Sequence, residues 1–499
     1  MALKLFNTLT KKKDPFKPLK DKIVSMYSCG PTVYDFAHIG NFRAYIFNDI
    51  LKRYLEYKGY KVKHVMNLTD VDDKTIRGAH SFKISLAEFT KKYSGAFFED
   101  LKILNIKPAN VYPRATEHIQ DMVGIIENLM RKGIAYRGED ESVYYNIRKF
   151  KKYGKLSGLH LKGLKAGARV KQDQYTKEDA QDFALWKAWD FQDGNVFWET
   201  EVGKGRPGWH IECSAMSMRH LGQSFDIHTG GIDLVFPHHE NEIAQSEGFS
   251  GKKFVKYWVH CEHLLVNSQK MSKSLGNFYT LRDLLNKGYS AAPIRYILLA
   301  AHYRQKLNFT FEELEAAKNT VEKIFNFVER LEEVGGAEAR GRGGANKKAR
   351  VLIKKLVMDF EKSMDNNLDT PQALAALFNF IRQINGLIDK KKISRRDAAE
   401  VIKAIFKINE VLGILELRGS IAKVSGLEQK VTAVLKKFAP DFKIEKEDLE
   451  SLMRAALALR EKFRQEKNFA DSDSLREELL KTGIKIEDTA EGPKWKLVK

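Results

Sequence analysis

With 499 residues the chain has room for about three to four domains, and its 43% apolar content is that of an ordinary globular protein. No run of about 18 uninterrupted apolar residues occurs, and Met1 to Lys20 is lysine-rich without a continuous apolar stretch, so neither a membrane span nor a secretory leader is expected. Lysine plus arginine total 85 against 65 acids, a net charge of +20, which points to a polyanionic partner, while three widely spaced cysteines make no disulfide framework and fit a reducing cytoplasm.

Residues 23 to 28 read as a short buried strand, followed by the turn Cys29-Gly30-Pro31-Thr32. Phe42, Tyr45, Ile46, Ile50 and Tyr54 then recur by threes and fours, the period of a helix, with Gly59 as its stop. A second strand, Val62 to Leu68, runs into Thr69-Asp70-Val71-Asp72-Asp73. Strand, helix and strand of these lengths predict a parallel pair in an open α/β sheet, with ligands at the carboxyl ends of its strands. Residues 125 to 222 break this rhythm with turn-rich pieces such as Lys152-Tyr153-Gly154-Lys155 and aromatics at Trp186, Trp189, Phe191, Phe197 and Trp198. They read as an insertion between two halves of the sheet domain, 1–124 and 223–290.

From 291 to 417 the chain is expected to be a helical bundle. Leu314, Ala317, Val321, Ile324, Val328 and Leu331 mark one amphipathic face, and helical patterns follow at 348 to 364 and 372 to 388. Between Leu331 and the first of these patterns, Gly335-Gly336 and the stretch Gly341 to Gly344 read as a flexible loop. A linker and a small unit of helices with a short strand-like tail complete the chain over 418–499. The lysine runs at 11 to 13 and 390 to 392 read as solvated surface.

Two elements suggest phosphate chemistry. His38-Ile39-Gly40-Asn41 stands at the start of the first helix, where unpaired amides and the helix dipole favour an anion. Gly40 lets a ligand approach the backbone, and His38 and Asn41 can donate to a phosphate. Some 230 residues later comes Lys270-Met271-Ser272-Lys273-Ser274-Leu275-Gly276-Asn277. Two lysines three apart among hydroxyls suit a transition state whose charge is spread over phosphate oxygens. A third group, Cys29, Cys213, His238 and Glu242, has the chemistry of a zinc site. His238 and Glu242 are four apart and share one helix face, with His239 and Glu240 as alternatives on chemistry alone. Cys261, inside the apolar run Tyr257 to Val266, reads as a core thiol.

The first two elements resemble the two signature motifs of class I aminoacyl-tRNA synthetases, with one departure: Asn41 stands where that class usually has histidine. Cys29 to Tyr34, Trp209 to Met216 and His228 to Ser246 resemble cysteinyl-tRNA synthetases. The resemblance covers nearly the whole chain and implies the fold: a Rossmann-like parallel sheet domain with an inserted connective domain, then a helical bundle and a small C-terminal α+β anticodon-binding domain. It implies ATP, L-cysteine and tRNA(Cys) as partners, Mg²⁺ with ATP, and one zinc held by Cys29, Cys213, His238 and Glu242. It further implies adenylation by His38, Asn41, Lys270 and Lys273, and contacts of Thr69 and Trp209 with the bound cysteine. Gly230-Gly231-Ile232-Asp233 resembles the adenosine-binding turn, and Arg460, Arg476 and Trp495 fall in the tRNA-binding tail. A cytoplasmic monomer is expected.

Zinc has a physical rationale. Cysteine and serine are near-isosteres, which a shape pocket separates by only about 1–3 kcal/mol. Translation requires roughly ten-thousandfold selectivity, about 5.5 kcal/mol. A metal that takes a thiol but not a hydroxyl can supply the difference. Two rivals are a ligase joining cysteine to a small amine and a silent RNA-binding protein. The 200 residues after Ala291 argue against the first, and the intact basic loop with its thiol and imidazole group against the second. Lys74-Thr75-Ile76-Arg77-Gly78 departs from the Lys-Ile-Ile-x-Arg pattern that goes with persulfide formation on pyridoxal phosphate, so that side activity is not expected.

Overall fold

The structure is a computed structural model that describes residues 2–159, 169–170, 181–336, 346–416, 427–440, 449–489 and 492–497. Most of the glycine-rich loop expected at 335–345 and much of the linker at 418–445 lie outside the described residues.

Four strands form one parallel sheet: β1 (Ile23–Ser28), β2 (Lys61–Met66), β3 (Phe225–Gly231) and β4 (Val255–Cys261), in the spatial order β4-β3-β1-β2. β1 and β2 are joined by helix α1 (Ile39–Tyr57) and pair in register, with Val24 opposite Val62 and Tyr27 opposite Val65. The chain leaves β1 towards β2 on one side, and β3 occupies the other. The order therefore reverses between β1 and β3, and the crevice at their carboxyl ends is where such a sheet binds ligands. Burial on both faces explains the apolar runs of its strands. His64, a polar exception on β2, is buried and lies 2.9 Å from Ser28 Oγ, which itself lies 2.8 Å from Thr229 Oγ1.

The middle section folds as a separate antiparallel sheet. Its main strands run Ala135–Arg137, Val143–Tyr145, Asp182–Ala188, Gly203–Pro207 and Trp198–Thr200 in spatial order. Of the aromatics expected to cluster there, Trp186 is fully buried, whereas Phe191 is 81% exposed. Helix α2 (Trp209–Leu221) leaves this sheet and packs on β1 and on helix α3 (His238–Ser250).

The bundle consists of Ala291–Ala300, Phe311–Gly336, Lys347–Asp365, Thr370–Asp389 and Arg395–Leu412. The stripe from Leu314 to Leu331 is buried throughout, so the period of three and four faces the core as expected. A buried charge network joins the bundle to α1. Asp49 accepts from Arg295 Nη2 at 2.6 Å and from Arg53 Nε at 2.8 Å, while Arg295 also donates to the carbonyls of Leu412 and Leu104. Every charge there has a partner, which buried ions require. The C-terminal unit has its own core, built on Leu452, Met453, Leu475, Leu479 and Ile484, and ends in the hairpin Ile484–Thr489 with Gly492–Leu497. Among the described residues no helix is long and apolar enough to cross a membrane.

Candidate active site and metal centre

Cys29 follows β1 directly, and the turn that carries it leaves no room for a side chain at the next position. A Cβ on Gly30 would sit 1.8 Å from the carbonyl oxygen of Asn67. Asn67 in turn accepts from the Gly30 amide at 2.9 Å. The end of β1 is thus locked to the end of β2, and Thr69 bridges to the Pro31–Val33 segment through two backbone hydrogen bonds.

Cys213 comes from the second turn of α2, and His238 and Glu242 come from the first two turns of α3. With Cys29 they bring four ligand atoms within 4.8 Å of one another. A second set, Cys29, His228, His239 and Glu242, meets the same criterion and shares two members. Hydrogen bonds engage the imidazoles of both sets, and His238 Nδ1 lies 3.0 Å from His210 Nδ1. Both ring nitrogens of His239 are engaged, Nε2 at 3.3 Å from Cys29 Sγ and Nδ1 at 2.8 Å from His260 Nε2. His228 Nε2 lies 2.9 Å from Glu242 Oε2, and His238 Nε2 is 3.1 Å from Glu242 Oε1. Glu240, an alternative ligand on sequence, turns away and accepts from the amides of Gly154 and Ser157 in the insertion at 2.8 and 2.7 Å.

Without a cation these groups are held neutral. Burial pushes the Cys29 and Cys213 thiols above their ordinary range and Glu242 up to about 8, and it lowers His238 to about 3. Two thiols, an imidazole and a carboxylate in a dry cluster suit a cation that would draw off their protons. The donor set is that of zinc.

At the mouth of the same crevice, His38 caps α1. Its Nδ1 accepts from the Asn41 amide at 3.2 Å, and Asn41 Oδ1 accepts from the His38 amide at 3.1 Å. This reciprocal box occupies the Asn41 oxygen and leaves its NH₂ free to face an anion. It also places the proton of neutral His38 on Nε2, a donor. Burial lowers His38 to about 4. The sign follows: its neutral form is favoured by folding, and the associated stability is complete above about 6.5 and lost as pH falls through about 4. Imidazole NMR should accordingly show no titration of His38 between about pH 5.5 and 8; a midpoint near 6.5 would refute the neutral donor.

The basic loop folds back onto this helix start. Met271 lies against Gly40, whose Cβ would come 3.1 Å from the Met271 methyl. Lys273 forms an ion pair with Asp35, which holds it above the ordinary lysine range. Its Nζ also lies 5.2 Å from the Phe278 ring, whose edge meets the His38 ring at 5.2 Å. Lys270 is exposed on the short strand before it. Gly230 and Gly231 end β3, where a Cβ on Gly230 would clash with the His239 ring at 2.7 Å, and Asp233 is exposed in the following turn. Asp233 also exerts a larger acidic influence on His38 than Asp35 does.

Thr69 is buried and donates to Glu212 Oε2 at 2.8 Å, and the Trp209 ring lies against the His238 ring, tilted by 32°, with centroids 4.2 Å apart. Cys261 is buried and lines a cavity together with Arg43, Phe47, Leu298 and Tyr303. In the C-terminal unit Arg476 is exposed, Arg460 is only 3% exposed, and Trp495 packs partly buried against the unit's core. Sequence reasoning missed Glu212, Asp35, His228 and His260. Seven of the 13 histidines fall between 210 and 263, a crowding that could have flagged the site but not its individual members.

A family profile described as "tRNA synthetases class I (C) catalytic domain" matches residues 15–319, and one described as "DALR domain" matches 359–416. The chain is 46% identical over 499 residues to a cysteine–tRNA ligase of Protochlamydia amoebophila, covering 99% of this chain and 98% of that one. The chain belongs to the cysteine–tRNA ligase family. Family members from Chlamydia felis and Brachyspira hyodysenteriae are 48% and 47% identical, again with 98% of their length covered. The fold of the family is seen also at much lower identity. A Mycobacterium tuberculosis methionyl-tRNA synthetase in complex with methionyl-adenylate superimposes with a TM-score of 0.57 at 15% identity, over 81% of this chain and 94% of that one. A leucyl-tRNA synthetase of Agrobacterium radiobacter gives 0.58 at 12%, over 81% and 85%.

Proposed function

We propose that the chain activates L-cysteine with ATP, releasing pyrophosphate, and transfers it from cysteinyl-adenylate to the 3′ end of tRNA(Cys). The observation that carries this reading is convergence. Two phosphate-binding elements some 230 residues apart and a thiol, imidazole and carboxylate cluster meet in one crevice of the parallel sheet. Family membership supports the same activity.

Cys29, Cys213, His238 and Glu242 are proposed to hold zinc. Bound there, zinc would offer the substrate thiol a ligand position and lower its pKa, an advantage serine's hydroxyl cannot match. Thr69 and Trp209 flank the cysteine. Gly230 and Gly231 admit the nucleoside, and Asp233 accepts from a ribose hydroxyl. The cysteine carboxylate attacks the α-phosphate of Mg-ATP in line, without a covalent enzyme intermediate. His38 and Asn41 donate to the phosphates from the start of α1, while Lys270 and Lys273 neutralise charge as it develops on the departing pyrophosphate. Release of Lys273 from Asp35 costs little, because an exposed ion pair contributes only about 0–1 kcal/mol. The exposed Arg476 is proposed to meet tRNA phosphate. Arg460, with its burial, supports the shape of that unit, and the half-buried Trp495 is proposed to stack on an unpaired base.

The direct test is ATP–pyrophosphate exchange with cysteine and with serine, before and after chelation. Exchange that requires cysteine and disappears with the metal is expected. Selectivity that survives complete metal removal would overturn the role given to zinc, and no exchange at all would overturn the activity.

A further inference from the structure

Arg53, Arg206 and Arg295 are buried, and each reaches an aspartate, at 2.8 Å, 2.7 Å and 2.6 Å. Arg43, on the second turn of α1 and only 1% exposed, pairs with no carboxylate among the described residues. Its Nε donates to the carbonyl of Glu262 at 3.1 Å, and its Nη2 donates to the carbonyls of His302 and Gln305 at 3.2 and 2.5 Å. Carbonyls satisfy those N–H groups but bring no net charge. Nη1 is buried without a hydrogen-bond partner. A guanidinium does not give up its proton in a protein, and a buried charge is costly unless another compensates it.

Arg43 forms part of the wall of a cavity of about 20 Å³, with Cys261, Phe47, Leu298, Tyr303 and Thr370. That is room for roughly one or two water-sized groups. The other polar groups of the wall are engaged. Tyr303 donates to Asn367, Thr370 to the carbonyl of Leu299, and Cys261 to the carbonyl of Glu262 at 3.6 Å. Burial holds the Cys261 thiol at about 11 despite the neighbouring Arg43, so the thiol is neutral and supplies no charge. Nη1 is left as the open donor of an otherwise apolar wall. A fixed positive charge in a small apolar space suits a small anion that loses its hydration at low cost. Fluoride is too strongly hydrated, and a dianion would bring more charge than one guanidinium compensates.

We infer that this cavity is a binding site for one weakly hydrated monovalent anion, of the chloride or bromide class, which compensates the charge of Arg43. The site stands apart from the reaction proposed above, but not from the parts that perform it. Glu262 precedes the basic loop, and His302 and Gln305 follow it, so Arg43 ties both ends of that segment to the helix that begins at His38. An anion on Nη1 leaves these three bonds in place and relieves the uncompensated charge at their centre.

Crystals of the full chain, grown without halide and soaked in about 100 mM sodium bromide, test the site directly. Anomalous scattering should place a bromide in the cavity, within hydrogen-bonding reach of Arg43 Nη1. In solution, excess broadening of the chloride NMR line should saturate with a dissociation constant on the order of 10 to 100 mM, the range of one hydrogen bond to a charged group. Bromide should displace that chloride at least about tenfold better than fluoride. Cys261→Leu fills the cavity and leaves Arg43 its carbonyl bonds, and it should lose both the cavity bromide and this part of the broadening. Arg43→Met should lose them too; if a thermal melt shows that variant unfolded, Cys261→Leu decides alone. Bromide on surface lysines with none in the cavity would overturn the inference. So would broadening that Cys261→Leu leaves unchanged, because the net charge of +20 then gathers the ions at the surface. A bromide that enters only at molar concentration would be an adventitious ion only, and would overturn it equally.

Discussion

Cys213→Ser is expected to lower cysteine activation at least about a thousandfold and to abolish retention of the metal. Cys213 lies at the centre of the cluster, 1% exposed and within 4.8 Å of the ligand atoms of Cys29, His238 and Glu242. A serine hydroxyl there would be a far poorer ligand, and three remaining donors, one a carboxylate raised to about 8, compete badly with protons for a cation. The fold should survive. Burial keeps Glu242 protonated and His238 uncharged without metal, so no bare ion is left in the core. Metal analysis of the purified variant and pyrophosphate exchange check the prediction together. A variant that retains metal and still rejects serine by roughly ten-thousandfold would exclude Cys213 from the ligand set.

Lys273→Ala should reduce the rate of adenylate formation by about a hundredfold to a thousandfold while leaving cysteine affinity nearly unchanged. Lys273 sits 66% exposed against Asp35 beside the His38 cap. It is remote from the thiol pocket and close to where phosphates would meet α1. Loss of its exposed ion pair should shift stability by no more than about 1 kcal/mol, so a thermal melt separates a catalytic defect from an unfolded one. Single-turnover adenylation measured against cysteine concentration decides the matter. Equal losses in rate and in cysteine affinity would assign Lys273 to general binding. Unchanged adenylation would leave the loop without its proposed task.

The sequence alone determined much of this protein. Apolar period separates the α1 helix from its flanking strands, because a helix repeats its face every 3.6 residues and a buried strand does not. The stripe from Leu314 to Leu331 identified the bundle face for the same reason. The two elements proposed to meet phosphate are local in the chain: the cap box of His38 and Asn41 spans four residues, and the two lysines of the basic loop are three apart. His238 and Glu242 were legible as a pair by the pitch of one helix turn.

What spacing could not supply was anything set by contacts between distant segments. Cys29 and Cys213 are 184 positions apart in the chain, and only the packing of α2 on β1 brings them together. The same packing decided that Glu240 serves the insertion while Glu242 faces the cluster, since their side chains leave the helix in different directions. In the C-terminal unit Trp495 packs partly buried against the core and Arg460 is 3% exposed, where the family resemblance had implied groups that meet tRNA. The contact of Glu212 with Thr69 was invisible in the sequence because the two residues lie 143 positions apart. Local order follows from the nearest neighbours along the chain. The hydrogen-bond polarity of the site follows only from neighbours in space, which the burial of apolar faces selects.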